Sequence, residues 1–494
     1  MTPSRRTAKS ERKARRAARA VDFNALPPVI HLTSLGCEKN TVDSERLLAT
    51  LLEAGCLLAE DPLDADVLLV NTCGFIQDAR DEAAEILAAL RGVNADGRRR
   101  TIIALGCLAK RAAVSPDLAG ALADADLRID FSGYDAIADA VFKAAGRTPN
   151  ADIDRATPFN ERPRLPTGSP HSAWLKIAEG CSTGCGFCSI PLIRGPHRDI
   201  PFDAIINEAI QLADAGAVEI NVIAQDTTQY GLDIDGRPRL AELLAALDAA
   251  LPEPVWIRLL YAYPKRLTDD ILDTLAGRPS RFCAYLDMPF QHIADPVLAA
   301  MNRRTTRSEM LATLERVRRR LPDAALRTSL VVGHPGETDS AFEELLEFVA
   351  SGAFDLVGAF EYSPEPGTLS AKLGDDIPAT VKAERRDRLM GAAQAVSKAR
   401  LQAMIGRRQT ILLDMALDKA TGRATLDALR RSGLIEKSAG REPGEIWLGR
   451  SQYEAPEIDG RVIVLPSKGR SVGEFVDVDM IAATEYDRIG CIAR

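Results

Sequence analysis

Hydrophobic and polar positions divide this chain into stretches of distinct texture. From Pro28 to Gly146 short apolar runs alternate with stretches of helical period. The runs VIHLTSLG (29–36), VLLVNTCGF (67–75), TIIALGC (101–107) and LRIDFSG (127–133) predict strands, and SERLLATLLEAG (44–55) and ARDEAAEILAALRG (79–92) predict helices between them. Such alternation predicts a small, doubly wound parallel α/β domain over 28–146. Residues 147–170 are rich in proline and polar residues without apolar period, and read as a surface linker. A longer alternation fills 171–404, with predicted strands at 173–180, 219–225, 255–261, 284–290, 326–333 and 356–362. Helical stretches such as IINEAIQLADAG, LAELLAALDAAL and FEELLEFVASG separate them. Six strand–helix units predict a partial (β/α)6 barrel, short of the eight of a closed one. The segment 379–406 reads as a long charged helix closing this domain. From 405 to 494 short β-like runs (QTILLDMA, EIWLGRSQ, GRVIVLPSKG, GEFVDVDMIAA) predict a small antiparallel β-barrel. A polar, partly helical insertion at 417–444 interrupts it.

Composition adds compartment and charge. The 494 residues are 46% hydrophobic and 27% charged, the balance of a globular protein too long for one core. No apolar run approaches the eighteen or so residues that a bilayer span requires. Residues 1–20 carry a net +7, leaving −15 for the remainder of a chain whose total is −8. The tail, 1–27, reads as a disordered solvated arm, or more sharply as an arm whose charge suits RNA phosphate. It has no apolar core of a secretory signal. Nine cysteines in so long a chain do not make a disulfide framework, so a reducing cytoplasm and thiolate ligands are expected.

The candidate chemistry begins at EGCSTGCGFCSIP (179–191). Cys181, Cys185 and Cys188 follow C-x3-C-x2-C directly after the first strand of the six-strand domain. Structural zinc sites close with four ligands, and no fourth cysteine or histidine is at knuckle distance. Three thiolates on a four-iron cluster leave one iron without a protein ligand, and catalysis at a metal requires such an open position. Phe187 is placed to shield the cluster or cover a ligand. Cys37, Cys73 and Cys107 fall at or just after three predicted strand ends, where parallel sheets gather ligands, and could converge or be buried small hydrophobes. Cys56, Cys283 and Cys491 fit core positions better, and the five histidines share no ligand spacing. Gln225 and Asp226 end the second predicted barrel strand, where polar side chains face the mouth. Arg327 opens the fifth, to meet a ligand carboxylate or a structural partner. GHPGE (333–337) is equally a backbone approach to adenine or a Gly-Pro turn.

EGCSTGCGFCSIP leading a partial barrel resembles the radical S-adenosylmethionine (SAM) superfamily. An α/β domain with three dispersed cysteines ahead of that barrel resembles the methylthiotransferases. LGCEKNTVDSE (35–45), IPLIRGPHR, VIAQDTTQYG (222–231), YAYP (261–264), DMPFQH (287–292), RTSLVVGHPGET (327–338), EYSPEPGT (361–368) and APEIDG (455–460) resemble the RimO-type branch over about residues 28–494. Glu38 stands where that branch more often has proline. The C-terminal barrel resembles the TRAM domain, RNA-binding in tRNA-modifying relatives. Residues 406–494, however, carry 14 Lys/Arg against 14 Asp/Glu, and a neutral face suits a basic protein better than RNA.

The resemblance implies an enzyme with two 4Fe-4S clusters and SAM. Cys181, Cys185 and Cys188 would ligate the catalytic cluster, with Phe187, Gln225, Asp226 and Arg327 as SAM contacts. Cys37, Cys73 and Cys107 would hold the second. Sulfide there would be methylated by one SAM, and a second SAM, cleaved to a 5′-deoxyadenosyl radical, would activate an aspartate Cβ of small-subunit ribosomal protein twelve. The product would be 3-methylthioaspartate, and an electron donor is implied as a further partner. A tRNA adenosine methylthiotransferase, an iron–sulfur electron carrier and a non-enzymatic ribosome-binding protein are the alternatives, separable by mass spectrometry of tRNA and ribosomal protein, by a SAM-cleavage assay, and by deletion of the basic tail.

Overall fold

The computed structural model describes residues 26–148, 156–436, 440 and 444–493. The predicted basic tail lies outside them except for its last two residues, as does part of the predicted linker and of the insertion.

The first domain is a five-stranded, all-parallel sheet in the order β2-β1-β3-β4-β5. Its strands are β1 (Val29–Ser34), β2 (Leu57–Leu58), β3 (Val67–Thr72), β4 (Thr101–Leu105) and β5 (Leu127–Ile129). Helices α1 (Glu38–Glu53), α2 (Gln77–Val93), α3 (Gly106–Val114) and α4 (Ile137–Ala144) connect and cover it. Central β3 is buried at every position, as a strand covered on both faces must be. The alternate residues Leu68 and Val70 join one apolar core, and Val67 and Leu69 another on the opposite face. Strand β2 is the element the apolar pattern does not reveal, because its two leucines are exposed at the sheet edge.

The described part of the linker packs on the first domain and, through Arg164, which meets Glu45 at 3.2 Å and Glu208 at 3.1 Å, ties it to the second. Phe159 packs edge-on to Tyr134 at 4.9 Å, and the Thr167 amide donates to Glu45 Oε1 at 2.8 Å.

The second domain carries six parallel strands in two segments. One has the order β10-β9-β6 and the other β11-β12-β13, and the single bridge Ile257–Phe282 links them. The strands are β6 (Ser172–Lys176), β9 (Glu219–Ile223), β10 (Trp256–Leu259), β11 (Tyr285–Asp287), β12 (Ala325–Val332) and β13 (Leu356–Glu361). A short antiparallel pair, β7 (Ala178–Glu179) with β8 (Arg198–Asp199), brackets the three-cysteine loop and the one-turn helix α5 (Ile190–Ile193). Outer helices α6 (Phe202–Asp214), α7 (Leu240–Ala250), α8 (Asp269–Gly277), α9 (Asp295–Ala300), α10 (Arg307–Arg320) and α11 (Asp339–Ala350) enclose an aliphatic core. Helix α12 (Ala379–Gln402) closes this half-open barrel.

The third domain is a closed barrel of β14 (Arg408–Ala416), β15 (Glu445–Arg450), β16 (Val462–Ser467), β17 (Phe475–Ala483) and β18 (Arg488–Ile492). Four of its pairings are antiparallel, and β16–β18 is parallel. Helix α13 (Lys419–Arg431) occupies the insertion between β14 and β15.

The three domains share one interface. Val42 of α1, Trp256 and Tyr285 of the half-barrel, and Leu412 and Ala455 of the third domain belong to one buried cluster. Glu219 receives Arg258 at 2.9 Å and Arg450 at 2.8 Å, so a fully buried carboxylate ties the second and third domains together. Among the described residues no helix is long and apolar enough to cross a membrane.

Candidate active site

Each cysteine of the first domain follows a strand of the parallel sheet. Cys37 is the N-cap of α1, Cys73 follows β3 directly, and Cys107 is the second residue of α3. Backbone packing brings the three loops together. Gly36 has φ +91°, and a Cβ there would stand 2.7 Å from the Cβ of Cys73. A Cβ on Gly74 would fall 2.8 Å from Leu108 Cα and 3.1 Å from the Cys107 carbonyl carbon. Only glycine permits these approaches. Cys37 is exposed, whereas Cys73 and Cys107 are buried. Burial pushes the Cys107 thiol up to about 12, against the pull of Arg194, and Cys37 and Cys73 push it further.

Cys181, Cys185 and Cys188 line the loop between β7 and α5, each within reach of nitrogen donors. The Thr183 amide and Gln229 Nε2 stand 3.5 and 3.4 Å from Cys181 Sγ. An Arg303 nitrogen stands 3.4 Å from Cys185 Sγ, and the Ile190 amide 3.5 Å from Cys188 Sγ. Burial pushes the Cys188 thiol up to about 12, with Cys185 and Cys181 adding to it. N–H donors aimed at sulfur suit metal-bound thiolate. Among the described residues no three His, Cys, Asp or Glu side chains are arranged around a single ion. Thiolates of a four-iron cluster bind different irons and stand further apart than the ligands of one ion. Each set offers three cysteines, the residue type that holds a four-iron cluster.

The remaining predicted residues divide by what already holds them. Asp226 anchors the cysteine loop: its Oδ2 accepts from Thr183 Oγ1 at 2.9 Å, Gln229 Nε2 at 3.0 Å and Arg266 at 2.8 Å. Arg327 pairs with Asp287 at 3.2 Å and with Asp459 of the third domain at 3.4 Å, the structural partner envisaged for it. Gln225 donates to Glu179 Oε1 at 2.9 Å, while its own buried Oε1 has no partner. Phe187 lies edge-on to the His334 ring, centroids 6.5 Å apart. His334 in turn shares a 2.8 Å hydrogen bond with Ser370, whose amide donates to Gly186 of the loop.

Sequence reasoning did not single out the buried charges between the two sets. Lys176 of β6 and Arg194 after α5 meet Asp43 of α1 and Glu179 of β7. Burial alone would raise the Glu179 carboxyl, but Arg194 and Lys176 hold it at about 2. The signal available was a lysine inside the apolar run AWLKIA, a position that soluble strands rarely give to an unpaired charge. A second clamp holds the Cys73 loop. Arg111 donates to the Gly74 carbonyl at 2.7 Å and pairs with Glu365 of the half-barrel at 2.8 Å. Ser189, next to Cys188, donates to the Phe75 carbonyl at 3.3 Å. The two cysteine loops therefore face each other across a bonded interface.

Comparison with known proteins matches this layout domain by domain. Residues 29–125 match the uncharacterized protein family UPF0004, 175–349 the radical SAM superfamily and 432–492 the TRAM domain. The ribosomal protein uS12 methylthiotransferase RimO of Anaeromyxobacter sp. (strain K) is 41% identical, over 93% of this chain and 92% of that protein. The chain belongs to the RimO methylthiotransferase family. RimO of Geobacter sulfurreducens is 38% identical over 93% of this chain and 98% of its own, and that of Lachnoclostridium phytofermentans 36% over 93% and 99%. Among solved structures, the cobalamin-dependent SAM radical enzyme OxsB, with aqua-cobalamin and SAM bound, aligns with TM-score 0.50 at 12% identity. That alignment covers 84% of this chain and 63% of OxsB, a likeness of fold alone. As a RimO-family radical SAM protein, the chain is an enzyme that uses a 4Fe-4S cluster and SAM.

Proposed function

We propose that this chain converts an aspartate of ribosomal protein uS12 to 3-methylthioaspartate, with one four-iron cluster on Cys181, Cys185 and Cys188 and a second on Cys37, Cys73 and Cys107. The observation that carries this reading is the facing of two cysteine loops, from two domains, across the Phe75–Ser189 and Glu365–Arg111 contacts. An electron carrier has no need of an open half-barrel, and a simple radical SAM enzyme has no need of a second triad.

When bound, the two clusters and two equivalents of SAM would supply the methylthio group and a 5′-deoxyadenosyl radical able to take a hydrogen from an unactivated carbon. The chain's own residues do the positioning. Asp226, Gln229 and Arg266 fix Thr183, and so the curvature of the loop that presents Cys181. Asn302 holds the Gly184 carbonyl at 2.7 Å, fixing the residue before Cys185. Gln225 Oε1, a buried acceptor without a partner, is open to a donor from SAM, and Phe187 packs with Val297, Met301 and Tyr362 to give the cysteine loop an apolar wall. The third domain suits a basic protein substrate better than RNA, because residues 406–494 carry 14 Asp/Glu against 14 Lys/Arg and no excess of positive charge. A one-electron reductant is the further partner, and the cytoplasm the compartment in which thiols stay reduced.

The deciding experiment is incubation of uS12 with the anaerobically reconstituted chain, SAM, sulfide and reductant. The protein is then digested and the peptides examined by mass spectrometry. Addition of one methylthio group at an aspartate is expected; modification of tRNA adenosine instead would transfer the assignment to nucleic acid.

A further inference from the structure

Arg194 is 4% exposed and lies between the two cysteine sets. One guanidinium nitrogen stands 2.6 Å from Asp43 Oδ2 and 2.9 Å from Glu179 Oε2. The other stands 2.6 Å from Asn40 Oδ1 and 3.4 Å from Cys107 Sγ. Its charged carbon lies 4.2 Å from the centre of the Phe131 ring. A single side chain from the half-barrel thus reaches two residues of α1, one cysteine of the first domain, and the residue two places before Cys181. Burying a guanidinium costs several kcal/mol unless partners surround it. Lys176 and Arg194 together balance Asp43 and Glu179, two cations against two carboxylates. The carboxylates take the first edge of Arg194, and the second is shared between the Asn40 side-chain oxygen and the Cys107 sulfur.

We propose that Arg194 is a positioning residue for the first-domain cluster, donating an N–H to the Cys107 sulfur and setting that cluster's reduction potential from the half-barrel side. The inference rests on the assignment of a cluster to Cys37, Cys73 and Cys107. A hydrogen bond and a positive charge at a ligating sulfur favour the more negative, reduced state of a cluster and raise its potential. Arg303 stands in the same relation to Cys185 at 3.4 Å, but from within its own domain. Arg194 instead makes the electronic state of one cluster depend on docking of the domain that carries the other.

The test uses the full chain with Cys181, Cys185 and Cys188 all changed to alanine, reconstituted anaerobically with iron and sulfide, so that only the first-domain set can bind a cluster. A redox titration followed by electron paramagnetic resonance is compared with and without Arg194→Gln. Arg194→Gln is expected to keep the iron content, move the midpoint potential to more negative values and alter the signal, with Arg194→Lys restoring part of the shift. Unchanged potential and signal with iron retained would overturn the inference. Because glutamine leaves buried carboxylates with less positive charge, the pair Asp43→Asn with Arg194→Met, which keeps Lys176 beside Glu179, provides a second readout. It should show the same negative shift, and a parental potential would count against the proposal. Absence of iron from the triple-alanine parent would instead remove the cluster assignment, and this inference with it.

Discussion

Asp43 and Arg194 stand 2.6 Å apart, one on the first helix of the first domain and the other at the end of the cysteine loop in the second. Both are buried, and both also touch the network of Lys176 and Glu179. The pair ties the first helix of the first domain to the segment that follows the cysteine loop of the second. Breaking it should separate stability from chemistry in a measurable way.

Asp43→Ala leaves two buried cations facing one carboxylate. Removing one partner of a buried ion pair costs about 3–5 kcal/mol, because the remaining charge cannot be solvated. Chemical denaturation of the apo chain should show a loss of that order in the transition that includes the first two domains. A change below about 1 kcal/mol would mean that water reaches the network.

Acid stability should follow the same group. The Glu179 carboxyl is held at about 2 in the fold against 4.5 ordinarily, so the unfolded state binds its proton first. Its contribution is complete above pH 4.5 and is lost as pH falls from there through about 2. Glu179→Gln should therefore flatten the fall in stability over that window while lowering stability at neutral pH. An unchanged acid slope would show that other carboxylates dominate it.

The loop anchor has a different signature. Asp226→Ala deprives Thr183, Gln229 and Arg266 of a shared acceptor, at a cost of about 1–3 kcal/mol for unsatisfied donors. The expected result is faster loss of iron from the half-barrel site to a chelator, with the first-domain iron released at the parental rate. Equal release from both sites would contradict an anchoring role confined to the cysteine loop.

Cluster occupancy can be divided by cysteine. Cys185→Ala should abolish 5′-deoxyadenosine formation from SAM under reducing, anaerobic conditions. Cys73→Ala should remove roughly half the iron and leave uncoupled SAM cleavage, because only one of two proposed clusters depends on it. Full iron content in Cys73→Ala would refute the second cluster.

How far the sequence carried these conclusions depended on how local each signal was. Strands β3 and β4 were legible because strands buried on both faces are written as continuous apolar runs. The edge strand β2 was not, since two exposed leucines have no period. Alternation marked four of the five strands of the third domain; β18, five residues at the end of the chain, was not read, so its parallel pairing with β16 emerged only in three dimensions. The C-x3-C-x2-C loop was readable because its cysteines are neighbours in sequence. Arg194 was not, because Asp43 and Cys107 lie 151 and 87 positions away. Asp226 and Arg327, read as polar side chains at barrel strand ends, have partners that the sequence does not disclose: Arg266 meets the first, and Asp287 with Asp459 the second.

Joint action of the two facing cysteine sets on one aspartate is read from the mass of uS12 peptides after reaction with the reconstituted chain. The expected result is an increment of one methylthio group in place of one hydrogen on an aspartate, lost in both Cys73→Ala and Cys185→Ala. Modified uS12 from the Cys73→Ala chain, or none from the intact one, would contradict it.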